Sequence, residues 1–206
     1  MGNAKVSAVN LANMLTFLRI ILAPVFLIIF FLPKDRSGVT IPVLWIIFIV
    51  SEITDYFDGL AARKLNLTSD FGKLFDPFAD TIMQITCFLC FLIDGIWGGG
   101  MIPVVLFLFA VYRELGILFI RNLMLRKGIT LGARIGGKIK TVLYITAVGV
   151  TLLAVSFERL GFFGSLLPRI KAGALIVFFI SIIAAVVSFI DYLVIYLKTA
   201  KHIKQE

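Results

Sequence analysis

The chain has 206 residues, 60% of them hydrophobic, with 20 Lys and Arg against 12 Asp and Glu, a formal charge of +8 and a mean hydropathy of +1.04. So apolar a composition excludes a soluble single-core domain and places the sequence among polytopic membrane proteins. The basic excess is dispersed over the ends of apolar runs, which argues against nucleic-acid binding and for contact with anionic headgroups or anionic substrates.

A helix needs about 20 mostly apolar residues to cross the hydrocarbon core, and six runs qualify, at roughly 16–32, 39–53, 78–93, 101–120, 141–157 and 172–196. The predicted fold is therefore all-α, with six transmembrane helices preceded by an N-terminal amphipathic interfacial helix. The connections are too short for a second domain, so residues 1–206 are expected to form a single membrane domain.

In chain order, the N-terminal arm NLANMLTFLRI carries Asn10, Asn13, Thr16 and Arg19 at intervals of three, with Leu, Met and Phe between them. That pattern predicts an amphipathic helix lying along the interface before turning into the first span. No small-residue cleavage pattern follows the first run and further spans do, so it is expected to be retained rather than removed as a signal peptide. Pro33 and Gly38 mark the turn that follows.

The second span leads without a Gly or Pro break into Glu52 and Asp55 and opens the stretch DYFDGLAARKLNLTSDFGKLFDPFAD. Asp55 and Asp58 stand at i and i+3, Asp76 and Asp80 at i and i+4, so on helices each pair shares one face. Two facing pairs make a box of carboxylates. Gly59 and Ala62 continue the first acidic face, where small side chains let something flat approach the backbone, and Arg63 suits two-point contact with phosphate. Asp76-Pro77 is expected to start or kink the third span, because the residue before proline avoids the helical region.

Cys87 and Cys90 form a C-x-x-C spacing, but among Phe, Leu and Ile inside a span they read as packing thiols. After the outer loop GIWGGG, the fourth span carries Arg113 and Glu114 within apolar sequence. The segment RNLMLRKGITLGARIGGKIK reads as a strongly basic loop. Within it Lys138 and Lys140 stand beside Gly136 and Gly137, and with the intramembrane Arg113 they are the candidates for anion binding. The last two spans hold little chemistry beyond Asp191. Tyr192, Tyr196 and Lys198 read as interfacial anchors, and His202 as a solvated tail residue, which leaves no His-based catalysis to consider.

An even number of spans puts both termini on one side. Thirteen of the 20 basic residues fall on the side of the termini and the acid box, and five on the other. By the positive-inside rule the box faces the cytoplasm.

A charge at the bilayer centre costs about 2.5 to 3.5 kcal/mol, and clustering like charges raises the cost unless cations are present. Oxygen-only donors without His or Cys select hard ions, so the box is expected to hold Mg²⁺ or Mn²⁺. Two other readings compete: a salt-bridge network of the acids with Arg63, Lys64 and Lys73, and a divalent-cation channel or transporter. A channel would spread its acids through the membrane depth, and transporters often show repeated halves; here the acids cluster at one side and no repeat is visible.

The string Asp55, two residues, Asp58-Gly59, two residues, Ala62-Arg63, eight residues, Gly72, three residues, Asp76, three residues, Asp80 resembles the signature of the CDP-alcohol phosphatidyltransferases at every fixed position. That resemblance implies a six-helix membrane enzyme that displaces CMP from a CDP-linked lipid or alcohol by attack of a hydroxyl. Beyond the signature, NLANMLTFLRIILAP, SEITDYFDGLAARK, SDFGKLFDPFAD, YRELGILFIRNL and GKIKT resemble the branch that uses sn-glycerol 3-phosphate as acceptor, with Tyr112 standing where that branch usually has glycine. The resemblance implies a bacterial cytoplasmic-membrane enzyme of phospholipid biosynthesis with CDP-diacylglycerol as donor. It assigns two divalent ions to Asp55, Asp58, Asp76 and Asp80. It assigns the CDP-lipid to Asp55, Asp58, Gly59, Ala62, Arg63, Ser69 and Gly72. Asp80 is the candidate general base, and Arg113, Lys138 and Lys140 the candidate partners of the acceptor phosphate. Inositol phosphate, serine or phosphatidylglycerol as acceptor would share the same signature. Small residues in the last two spans are compatible with a homodimer.

Overall fold

The computed structural model describes the backbone of residues 2–33, 37–65, 70–126 and 135–203, and the side chains of residues 14–33, 37–55, 75, 77–125 and 135–199. Among the described residues there are six helices and no strand: α1 (Gly2–Phe30), α2 (Ser37–Leu65), α3 (Asp70–Asp94), α4 (Met101–Arg126), α5 (Ile135–Leu160) and α6 (Leu167–Ile203). Five contain segments long and apolar enough to cross a membrane, namely Ser37–Asp55, Pro77–Asp94, Met101–Leu125, Ile135–Leu160 and Leu167–Thr199; α1 adds the shorter apolar segment Met14–Phe30. The described residues are thus all helical, with five helices of the length and apolar composition of membrane spans. Large apolar side chains such as Ile28, Phe119 and Ile176 stand exposed along these helices, as expected where the surrounding solvent is lipid and only backbone polar groups must be satisfied internally.

Three boundaries differ from the sequence expectation. The amphipathic arm and the first apolar run form one uninterrupted helix, α1, which carries Pro24 inside it. Helix α3 begins at Asp70 and contains Pro77, so Asp76-Pro77 does not start the helix. Proline removes one backbone hydrogen bond, a loss that membrane helices tolerate when neighbouring groups and the long apolar continuation compensate. Helix α4 continues to Arg126, so Arg121 is helical and the basic loop is shorter than its composition suggests; good helix formers such as Leu, Met and Arg carry the helix past the apolar run.

The chain divides into two compact units, Met1–Ile93 with Ser156–Phe162, and Asp94–Val155 with Phe163–Glu206. In the first, α1 packs against α2. The ring of Phe30 meets that of Phe91 edge-on at 5.8 Å, while Trp45 Nε1 donates to Ser156 Oγ at 3.1 Å. Arg159 Nη1 donates to the backbone oxygen of Phe30 at 2.7 Å, and its guanidinium lies 4.3 Å from that ring's centre. The oxygen belongs to the last turn of α1, where carbonyls lack a partner within the helix and a cation is favourable.

In the second unit α4 packs against α6. Its turn between α3 and α4 closes through Gly95, at φ 73°, and Gly98, at φ 82°, with Gly98 N donating to the Gly95 oxygen at 2.9 Å. Residues with a Cβ adopt that left-handed backbone only at a cost. The turn buries Trp97, which stacks on Phe178 at 4.1 Å and donates through Nε1 to Thr151 Oγ1 at 3.2 Å.

Candidate active site

The acidic stretch singled out by the sequence falls on two helices of the first unit. Helix α2 runs unbroken through Asp55, Asp58, Gly59, Ala62 and Arg63 to Leu65, and α3 carries Gly72, Asp76 and Asp80. Helical backbone over both ends keeps the i, i+3 and i, i+4 relations of the two acid pairs. The side chains of Asp58, Arg63 and Asp76, and the surroundings of Gly59, Ala62 and Gly72, lie outside the described residues, as does Ser69 altogether. Asp55 and Asp80 are described, and a third helix brings them together.

That helix is α1, through Arg19. Its side chain is 1% exposed, and Nη1 donates to Asp55 Oδ1 at 2.5 Å and stands 3.9 Å from Asp80 Oδ1. The first is a charge-assisted hydrogen bond, the second an ion pair beyond hydrogen-bonding distance. The carboxylates themselves are 40% and 31% exposed. One guanidinium, presenting several donors in a plane, can serve two acids from different helices, which an ammonium does less well. Thr16, one turn before Arg19, is buried, as is Gln84, one turn beyond Asp80. Among the described residues no three Asp, Glu, His or Cys side chains come together; only two of the four acids of the box are described.

The second unit holds another charged cluster. Glu114 Oε1 accepts from Arg113 Nη1 at 2.8 Å and from Lys140 Nζ at 2.8 Å, and all three side chains are buried. Helix α6 completes the surroundings: Arg113 Nε donates to the Ala185 oxygen and Nη2 to Ser188 Oγ, each at 3.2 Å. Lys140 Nζ lies 4.1 Å from the centre of the Tyr144 ring, a cation–π geometry. A Cβ at Gly136 would meet Ser188 at 3.6 Å, and one at Gly137 would meet the Tyr192 hydroxyl at 3.5 Å, so these two glycines bring the start of α5 close to α6. The structure thus joins Arg113 and Lys140 around one acid, while Lys138 is exposed.

Sequence reasoning missed several of these parts. Arg19 reads as an element of an anchoring arm; the available signal was that an arginine inside a membrane span calls for an acidic partner. Tyr192 reads as an interfacial anchor but is buried, its hydroxyl 3.5 Å from Arg121 Nη2. Ser188 carries no sequence signal at all, since a lone serine in an apolar helix is common. Tyr112, the departure beside Arg113, is 65% exposed, so its bulk points away from the packed face and is accommodated without disturbing the Arg113–Glu114 pair.

Helices of the length and apolar composition of membrane spans, with this acidic signature at the end of α2 and the start of α3, define a class. The model of the CDP-alcohol phosphatidyltransferase family matches residues 9–200, and the chain belongs to that family. It is 35% identical over 170 residues to the CDP-diacylglycerol--glycerol-3-phosphate 3-phosphatidyltransferase of Treponema pallidum, covering 81% of this chain and 76% of the relative. It is 32% identical over 204 residues to a probable phosphatidylglycerophosphate synthase of Mycobacterium tuberculosis, covering 99% and 88%. A Bacillus subtilis protein named as the first is 35% identical over 163 residues, covering 74% and 82%.

Proposed function

We propose that this protein transfers the phosphatidyl group of CDP-diacylglycerol to sn-glycerol 3-phosphate, giving phosphatidylglycerophosphate and CMP. The observation that carries the reading is similarity at about one-third identity over nearly the whole chain to proteins named for that reaction. In the reaction a hydroxyl oxygen of glycerol phosphate bonds to the phosphorus that carries diacylglycerol, the bridging P–O bond to CMP breaks, and the hydroxyl proton must be taken up.

Asp80 is assigned the proton. It lies near the end of the acid stretch, one turn from Asp76 on α3, and is partly exposed, so a hydroxyl can reach it. Gly59, Ala62 and Gly72 are assigned to a close approach by the CDP group, Arg63 and Ser69 to its polar contacts, and Asp55 and Asp58 to its side of the box. Arg113, Lys138 and Lys140 are assigned to the acceptor phosphate. With Glu114 between them, Arg113 and Lys140 keep one net positive charge in a buried setting, which suits a phosphate dianion.

The carboxylates fit divalent metal. Their donor set is all oxygen, and the two described acids already share a cation in Arg19, the electrostatic condition that a metal would also satisfy. Asp55, Asp58, Asp76 and Asp80 would hold two Mg²⁺ or Mn²⁺ ions, which supply neutralisation of charge on the pyrophosphate when bound.

The chain is proposed as one catalytic domain, residues 1–206, in the bacterial cytoplasmic membrane. Five apolar helices and the apolar part of α1 would be the six spans, the start of α1 the interfacial arm, and the acid box would face the cytoplasm. A second copy is a candidate partner.

The test is purified protein with Mg²⁺ or Mn²⁺ and CDP-diacylglycerol, with CMP release measured for each acceptor in turn. Release with glycerol 3-phosphate and not with serine, inositol phosphate or phosphatidylglycerol is expected. Release with another acceptor alone would overturn the branch, and ion conduction in liposomes without CMP release would overturn the enzyme.

A further inference from the structure

We infer that Arg19 is the built-in counter-cation of the carboxylate box: it holds Asp55 and Asp80 when no metal is bound and keeps the box's affinity for divalent cations low until an anionic nucleotide arrives. The inference rests on the metal reading above and concerns a residue outside the family's acidic signature.

Three observations carry it. Arg19 is 1% exposed while Asp55 and Asp80 are 40% and 31% exposed, so the cation sits at the closed end and the acids keep an open side that an ion can reach. Its charge is permanent, because a guanidinium stays protonated in proteins. It also belongs to α1, whereas the acids belong to α2 and α3, so one side chain links three helices, by a charge-assisted hydrogen bond to Asp55 and an ion pair with Asp80.

The sign of the effect follows from electrostatics. A fixed positive charge within about 4 Å of two carboxylates cancels part of the field that would attract a divalent ion, and at an effective dielectric of about 20 such a charge is worth several-fold to many-fold in affinity. A pyrophosphate entering the open side adds negative charge and reverses that cancellation. Metal and nucleotide therefore bind with positive coupling, and the coupling is reciprocal.

The experiment measures Mn²⁺ affinity of the full-length, detergent-solubilised protein by calorimetry, with and without cytidine 5′-diphosphate as probe, for wild type, Arg19→Gln, Arg19→Met and Arg19→Lys. Wild type is expected to bind Mn²⁺ weakly alone and about tenfold tighter with the nucleotide. Arg19→Gln is expected to bind Mn²⁺ alone about tenfold tighter than wild type, with the nucleotide's enhancement correspondingly reduced. Its metal-free melting temperature should fall and recover on adding Mn²⁺. Arg19→Lys, which keeps the positive charge, should bind Mn²⁺ much as wild type does, and Arg19→Met decides the matter should Arg19→Gln fail to fold. Wild type that binds Mn²⁺ while folded Arg19→Gln or Arg19→Met binds it equally or more weakly would overturn the role of Arg19 alone. Wild type that binds no divalent ion with or without nucleotide would overturn the metal reading, and this inference with it.

Discussion

In the first unit a buried arginine serves two partly exposed acids, and in the second a buried acid serves two buried cations. The inversion separates two uses of charge in a membrane. Acids that stay open on one side can exchange their partner for an ion or a substrate. An acid enclosed by Arg113, Lys140 and the groups of α6 cannot, and its removal strands two cations in a low-dielectric setting. The first cluster leaves its acids open to exchange, while the second fixes Arg113 and Lys140 on one acid and, in the function proposed above, offers their surplus positive charge to a phosphate.

The strongest way to break this contrast is at Asp80. Asp80→Asn is expected to lower CMP release by about 10²- to 10⁴-fold, the range for loss of a general base, with little change in thermal unfolding. Retained turnover would remove Asp80 from the proton-transfer role. Glu114→Gln should do the reverse at first order, costing about 3 kcal/mol or more of stability because two buried cations lose their acid, read as a lowered melting temperature in detergent. An unchanged melting temperature would show that the second cluster is not a holding device.

Smaller effects sharpen the picture inside the second unit. Arg113→Ala and Lys140→Ala are each expected to raise the KM for glycerol 3-phosphate about tenfold or more, the scale of one charge-assisted hydrogen bond. The exposed Lys138→Ala should raise it only about twofold to fivefold, as for a solvated charge. Three unchanged KM values would end the assignment. Trp97→Phe keeps the stack on Phe178 but loses the bond to Thr151, so about 1 kcal/mol of stability should go while CMP release per folded molecule stays the same.

The pairing of the acids along each helix was legible because spacing is local: Asp55 with Asp58 and Asp76 with Asp80 need only helical backbone to share a face, and α2 and α3 supply it. The partner of Asp55 was not, because Arg19 lies 36 residues away and its own neighbourhood fits an interfacial arm equally well. Of the two expectations for Pro77, a helix start or a kink, the start is overturned for a related reason. Its local preference argues for a helix start, yet the apolar length beyond it keeps α3 continuous from Asp70. In the second unit Arg113 stood out as an intramembrane charge, but that Glu114, Lys140 and Ser188 would surround it depends on which faces of α4, α5 and α6 meet, and uniformly apolar helices do not encode that in their periodicity. Tyr192 shows the same limit, since an anchor at the water boundary and a buried partner of Arg121 have the same sequence signature.

The clasp between Arg159 and the last turn of α1 bears on the order in which the molecule is made. Arg159 follows Phe30 by 129 residues, and Ser156 follows its partner Trp45 by 111. The ribosome must therefore release the end of α5 before the first unit has its last fastenings, although the helices bearing Arg19, Asp55 and Asp80 were synthesised long before. Until then α1 is held by α2, by the pairs of Arg19 with Asp55 and Asp80, and by the contact of Phe30 with Phe91. A nascent chain arrested after α4 would contain Arg19 and all four acids of the stretch and still lack the residues that fasten the last turn of α1 and Trp45.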